Sequence, residues 1–436
     1  MDILKGIPEI CKRNVRDDPG RKKTIHAQSK TWYYICPMTR IYFDNAATTP
    51  VDPRVKKAMD PYFTELFGNP SSVLIQEGGE PRKAVDEARA KVAGLLNAAA
   101  DEIIFTGSAT ESNNLAVKGM ALANRNKGNR IIFSDIEHFS IMNQADSLRS
   151  MGFEVDYAKV DEYGVVDVED LKKKVTKETV LVSVMHANLE IGTLEPIREI
   201  GFFLKERDVL FHSDGAGTCG QIPVDVKELL VDAMTISAHQ FNGPKGVAGL
   251  YLRDGVLMRS LVQGGFQEMG FRAGTENVPA IVGFGEASRI AAEEMTDKVE
   301  RLTFLGQRLW KGIEEQVKYL HFTGHPTKRL PGHVSFWIEF VEGESLLLWL
   351  NLNGIASASG SACASNVLAA DESTLKASHV LTAVGVPPEI CHGSITFSLG
   401  KYNTEAEVDF TLSTLPSIVD KLREMSPLYQ KVTGGK

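Results

Sequence analysis

"EIIFTGSATESNNLAVKGMALAN" (Glu102–Asn124) runs from a short apolar stretch through a joint of small polar residues into a segment whose apolar residues return at helical spacing. A strand followed at once by a helix is the unit from which parallel sheets are built. Outward from it the same alternation holds from about Pro50 to Met295, in "NRIIFSDIEHFSIMNQADSL" (Asn129–Leu148), "TVLVSVMHANLEIG" (Thr179–Gly192) and "DVLFHSDGAG" (Asp208–Gly217). The pattern predicts an α/β fold around a mostly parallel central sheet. Each strand ends in a polar cluster, and open α/β sheets bind ligands at the carboxyl ends of their strands, so the chemistry is expected along one edge.

After Met295 the pattern changes. "DKVERLTFLGQRLWKGIEEQV" (Asp297–Val317) places Val299, Leu302, Leu309, Ile313 and Val317 on one helical stripe, read as a packing face. "GHVSFWIEF" (Gly332–Phe340), a loop with Cys363, the strand "SITFSLG" (Ser394–Gly400) and a final helix near Leu412–Met425 complete an α+β layout. The predicted organisation is an extension over 1–37, a large domain over 50–296, and a smaller α+β C-terminal domain made of 38–49 and 297–430 that carries the cysteine loop.

The chain has 436 residues, 43% hydrophobic and 24% charged, enough to bury large cores in a soluble protein of two or three domains. With 48 basic against 56 acidic residues the net charge is −8, which provides no basic field for nucleic acid. Cys11, Cys36, Cys219, Cys363 and Cys391 are few, odd in number and far apart, arguing against a disulfide framework or a CxxC zinc site and for a reducing cytoplasm. "LLLWL" (Leu346–Leu350) stops at Asn351 and reads as core, so no membrane span is expected. The first 37 residues have no continuous apolar region like that of a secretory signal, and Met38 directly precedes the first strand; they read as a loose arm or an early-called start.

In "FTGSATESNNLAV" the backbone N–H groups of Ser108, Ala109 and Thr110 can converge on an anion at a helix N-terminus, with phosphate the natural guest; ordinary N-capping by Ser108 has the same appearance. Asp214 ends the apolar strand "VLFHSD", where a carboxylate facing a cleft can pair with a protonated pyridine nitrogen. His138 ends a neighbouring strand and can stack on that ring. Either alone is equally well a hydrogen-bonded strand end.

Together and in this order, these residues resemble the class V, fold type I pyridoxal phosphate (PLP) enzymes, and within them the cysteine desulfurases of the IscS/NifS type. The resemblance runs from Ile41 to Tyr429 through "YFDNAATTP", "FGNPSS", "GSATESNNLAVKG", "EH", "HANLEIGT", "SDGAG", "SAHQFNGPKG", "RAGTENVPAIVGFGEA", "SGSAC" and "FSLGKYNT". It implies a two-domain homodimer in which Ser108, Ala109, Thr110, Ser237, His239 and Thr275 hold the cofactor phosphate, Thr275 reaching the neighbouring subunit. It implies Asp214 at the ring nitrogen and His138 on the ring face; in a member without the family's lysine, His138 or a water would have to serve as the catalytic acid-base group. Cys363 in "SASGSACAS" matches the nucleophile that takes sulfur from L-cysteine as a persulfide, in a loop of small residues suited to swing. Cys219 and Cys391 are expected to pack.

The sequence also departs from that pattern. The family's Schiff-base lysine, next after the histidine of the strand-turn block, is Gln240 here, and an amide cannot form an imine because its lone pair is delocalised. Lys245, in "GPKG", accompanies that lysine in the family and is not expected to replace it. Gly217 stands for a glutamine that reaches the cofactor's phenolic oxygen, Leu189 for an asparagine, Leu74 for a histidine, and Phe266 for a glycine near the dimer contact. Thr396 stands for the arginine that clamps the substrate carboxylate. "NVLAADESTLKASHV" (Asn366–Val380) is longer than the family norm.

Two functions are therefore expected. The first is a cysteine desulfurase that uses PLP without the lysine, converting L-cysteine to alanine and leaving a persulfide on Cys363 for iron-sulfur cluster assembly. The alternative is a catalytically impaired homologue that docks on an iron-sulfur scaffold protein or other sulfur acceptor, with Cys363 as sulfur carrier or transient cluster ligand. An aminotransferase or lyase acting on another amino acid ranks third, since those reactions use the same lysine.

Overall fold

The computed structural model of the chain describes residues 40–360, 378–387 and 394–434; the extension over 1–37, Cys363 and Cys391 lie outside the described residues. Seven strands form the central sheet: β2 (Ile103–Thr106), β3 (Arg130–Ser134), β4 (Glu154–Ala158), β5 (Thr179–Ser183), β6 (Leu210–Asp214), β7 (Ala233–Ser237) and β8 (Ala248–Leu252). Their spatial order is β2-β8-β7-β6-β5-β3-β4, with β3 to β7 mutually parallel and β4 parallel beside β3. Only β8 runs against its neighbours, pairing antiparallel with β2 and with β7.

Apart from the edge strand β4, whose Glu154 and Asp156 mark its partial exposure, the strands read as largely apolar runs because both faces are covered, and successive residues turn to opposite sides. Ile103, Phe105, Ile132, Val182, Phe211 and Ile236 enter one core, while Ile104, Ile131, Phe133, Leu181 and Leu250 enter the other. On the first face the Gln76–Leu96 and Val278–Glu293 helices pack together. Gly285 makes their approach possible, since a Cβ there would sit 2.5 Å from the Cα of Ala88.

A separate core gathers Ile41 and Phe43 with residues from Leu302 to Leu422. Its antiparallel sheet is ordered β12-β10-β9, from β9 (Leu320–Phe322), β10 (His333–Ile338) and β12 (Ser394–Ser398). β1 (Ile41–Tyr42) pairs in parallel with β11 (Ile355–Ala356), which ties the start of the described chain to this core. Phe397 sits edge-on to Phe43 at 5.9 Å and tilted against Phe336 at 5.6 Å.

Two details differ from the sequence reading. In the Met295–Gln316 helix Val299 is only half-buried, while Lys298 is buried and its Nζ donates to the carbonyl of Gly220, joining the helix to the loop after β6. The final long helix starts at Glu405, not near Leu412, because Thr404 and Glu407 form a reciprocal capping box that satisfies its first N–H groups. Among the described residues no helix is long and apolar enough to cross a membrane.

Candidate active site

The carboxyl ends of β6 and β7, the start of the Ala109–Ala123 helix and the segment around Asp44 close on one cavity of about 280 Å³. Ser108, Ala109, Thr110, His138, Asp214, Ser237, His239 and Gln240 all line it. Thr275 does not: it is exposed and lies outside this cavity within the chain.

Ser108 caps the helix, its Oγ accepting from the Glu111 N–H at 3.1 Å, so the capping reading of this residue holds in the structure. The helix terminus still opens on the cavity. Facing the same space, Ser237 ends β7 with its Oγ buried and without a hydrogen-bond partner. His239 Nδ1 lies 3.2 Å from Thr48 Oγ1; burial, and the charge of nearby Lys245, hold this imidazole below its usual range.

Asp214 is the last residue of β6. Its Oδ1 accepts from the Ala216 N–H at 2.9 Å and its Oδ2 from Asn113 Nδ2 at 2.7 Å. Asn113 also donates to Ser140 Oγ at 2.8 Å, and that hydroxyl lies 2.7 Å from His138 Nδ1. The Ser140 N–H donates to the same Nδ1 at 3.1 Å, which leaves the ring proton on Nε2. A continuous polar chain therefore links the strand-end carboxylate to the imidazole. Asn113 has no role in the sequence reading; the available signal was an asparagine inside a helix, a residue type that favours caps and turns unless its side chain is engaged.

Gln240 is buried, and its Nε2 donates to the carbonyl of Ala46 at 2.9 Å. Lys245 is exposed and does not line the cavity. Leu189 and Gly217 lie against one another: a Cβ at 217 would lie 2.8 Å from Leu189 Cδ2, so the leucine occupies the space a larger residue at 217 would need. Thr396, in the middle of β12, donates its hydroxyl to the carbonyl of Glu190 at 3.0 Å. Cys219 is fully buried, its thiol pushed up to about 12 by burial and by the charge of Asp214, which suits packing.

Three acids in the wall were absent from the sequence reading of the site. Glu137 is fully buried; its Oε1 accepts from Ser134 Oγ and the Met185 N–H, its Oε2 has no partner, and burial reinforced by Asp214 pushes its pKa up to about 8. Glu190 is buried with Oε1 unpartnered and is raised to about 7, again by burial. Asp44, also with an unpartnered oxygen, is raised to about 6.

This sheet order, with its site at the carboxyl edge beside a helix N-terminus, is the fold type I architecture of PLP enzymes. The chain belongs to the class-V aminotransferase family, whose model matches residues 41–410. Among curated proteins it is 47% identical over 391 residues to the cysteine desulfurase IscS of Dictyoglomus turgidum, covering 90% of this chain and 97% of the relative. Against the cysteine desulfurase IscS of Methanosarcina thermophila the identity is 48%, covering 90% and 95%. A solved NifS-like protein superposes with a TM-score of 0.80 at 38% identity, over 88% of this chain and all of that one.

Proposed function

We propose that this chain is a cysteine desulfurase of the IscS/NifS type that holds PLP without a covalent tether. The observation that carries the reading is the cavity joining Asp214, Asn113 and His138 to a helix terminus and an unpartnered Ser237 hydroxyl. These residues fit a phosphate-bearing pyridine: Ser108–Thr110, Ser237 and His239 would hold the phosphate, Asp214 the ring nitrogen, and His138 the ring face. Bound there, the cofactor supplies an electron sink for breaking bonds at the carbon that bears the amine. The one part that does not fit is the covalent link, since Gln240 has only an amide and no lysine lines the cavity among the described residues.

Within the cavity, Asn113 fixes Asp214, while Ser140 fixes the His138 ring through Nδ1 and so places its proton on Nε2, and His138 is the proposed acid-base group in place of a lysine. In the proposed reaction the Cys363 thiolate attacks the sulfur of L-cysteine. An S–S bond forms as the Cβ–S bond breaks, the electron pair passes to Cβ, and protonation there yields alanine and the persulfide. An iron-sulfur scaffold protein or another sulfur acceptor would then take the sulfur from Cys363. The protein is proposed to act as a homodimer, Thr275 reaching the partner's site, in the cytoplasm.

The experiment is alanine release from L-cysteine with added PLP. The proposal expects slow release that Cys363→Ser abolishes; turnover indifferent to that substitution would remove the persulfide route. The absence of a lysine or arginine from the cavity wall, among the described residues, favours a second reading in which the chain is a scaffold partner with Cys363 as sulfur carrier or cluster ligand. Complete absence of alanine, with anaerobic co-purification of a scaffold protein dependent on Cys363, would select it.

A further inference from the structure

Resting on the reading of this cavity as a cofactor site completed across a homodimer, we infer that Glu111 and Arg272 are positioning residues that fasten each chain's own phosphate seat to the loop it lends its partner. The joint between β2 and the Ala109–Ala123 helix forms one side of the cavity, and residues 267–276 carry Thr275, which is exposed. Glu111 Oε2 accepts from the Gly107 N–H at 2.8 Å, immediately before Ser108, and its Oε1 accepts from Arg272 Nε at 2.8 Å. A second carboxylate repeats the attachment. Glu268 Oε2 accepts from the Phe105 N–H at 2.7 Å, and both Glu268 oxygens accept from the Arg89 guanidinium at 2.6 Å in a buried pair. The loop is thus tied at two points to the strand-helix joint that opens on the cavity.

The loop is also closed on itself. Gln267 Oε1 accepts from the Gly274 N–H at 3.1 Å, and the Ala273 N–H donates to the carbonyl of Val262 at 3.3 Å. Glu268 and Met269 hold the left-handed conformation at φ of 48° and 56°, which costs a non-glycine residue about 1–2 kcal/mol and persists only where the surroundings over-determine it. Here the clamped Glu268 carboxylate does so. Thr275 is therefore presented by a braced loop at a set offset from Ser108. Charge gives the pair its second task. Glu111 lies in the first turn of the helix, where its carboxylate would repel an anion at the terminus, and the Arg272 guanidinium offsets that charge. A carboxylate offers an oxygen to each of the two N–H donors, whereas an amide at 111 has one acceptor and must release either Gly107 or Arg272.

Isothermal titration of the full-length chain compares pyridoxine 5′-phosphate with pyridoxine, neither of which has an aldehyde to react with lysines. The equal-sized Glu111→Gln is expected to weaken the phosphate ester about tenfold and to leave pyridoxine within about twofold. A carboxylate acting as a charge alone would make the same substitution strengthen the ester, and that result, or an equal loss for both ligands, overturns the inference. Arg272→Gln provides a second measure through the partner's site. Thr275→Val is expected to cost the ester about fivefold in the unmodified chain and less than about twofold once Arg272 is replaced, whereas losses that simply multiply overturn the link between loop and seat. A chain that prefers the ester and is unmoved by either variant removes this inference alone. An unmodified chain that binds the ester no better than pyridoxine removes the phosphate seat, and the inference with it.

Discussion

Glu190 has given up nearly all its contact with water while Oε1 has gained no partner, and that imbalance raises its carboxyl to about 7. A carboxyl whose folded value exceeds its unfolded one binds its proton more tightly in the native state. Its stabilising contribution is full below the unfolded value and is lost as pH rises through the folded one. Glu137, at about 8, and Asp44, at about 6, act in the same direction. Glu190→Gln is therefore expected to flatten the decline in urea stability between about pH 5 and pH 8 by up to ~3 kcal/mol. An unchanged slope would contradict a buried, protonated Glu190. His186 and His212, lowered by burial to about 4, lose stability on the acid side as pH falls, and the variant leaves that limb alone. Asp214 and Gln240 were legible in the sequence because one ends β6 and the other follows β7 inside a recognisable block, whereas His138, read as a strand end, lies beyond β3, which stops at Ser134, and caps the Phe139–Met142 helix. Glu137 and Glu190 were not, since a glutamate reads the same in a sequence whether it meets water or a cavity.

In the loops after β5 and β6, Leu189 and Gly217 are fitted to one another. Gly217→Gln alone must push against Leu189, whereas Leu189→Asn alone leaves a gap beside a glycine. The double substitution is expected to be more stable than the two single effects predict, by about 1–2 kcal/mol in a double-mutant cycle. Additivity would show that the two sites are independent. At this scale the alternation of strands and helices predicts the parallel core because the inner strands are apolar along most of their length and the connections between parallel strands carry helical patterns. The antiparallel placement of β8 between β2 and β7 was not legible, as pairing direction depends on where the chain returns and not on composition. The early start of the Glu405–Glu424 helix was written in the Thr404–Glu407 capping box, and a reading keyed to apolar spacing passed over it.

Across the whole molecule, Leu74 and Phe266 are 98% and 95% exposed, with Val73, Ile75, Leu261 and Val262 also open to solvent. Apolar side chains left this bare support the homodimer that the family resemblance implies, with Thr275 on the outside of its own chain's site. Sedimentation velocity at micromolar concentration is expected to give a dimer, and the paired change Leu74→Asp with Phe266→Asp to shift it to monomer. A monomeric unmodified chain would remove Thr275 from any partner's cavity. Nothing in composition or periodicity led to this surface, because exposed leucines and buried ones share the same spacing signals.

The absence of a tether is most directly tested by mixing the purified chain with PLP, passing it through gel filtration, reducing with borohydride and mapping the peptides. Retained cofactor absorbance with no pyridoxyl group on any lysine is predicted, together with a new adduct at residue 240 in Gln240→Lys. A reduced adduct on Lys245 or any other lysine of the unmodified chain would contradict it.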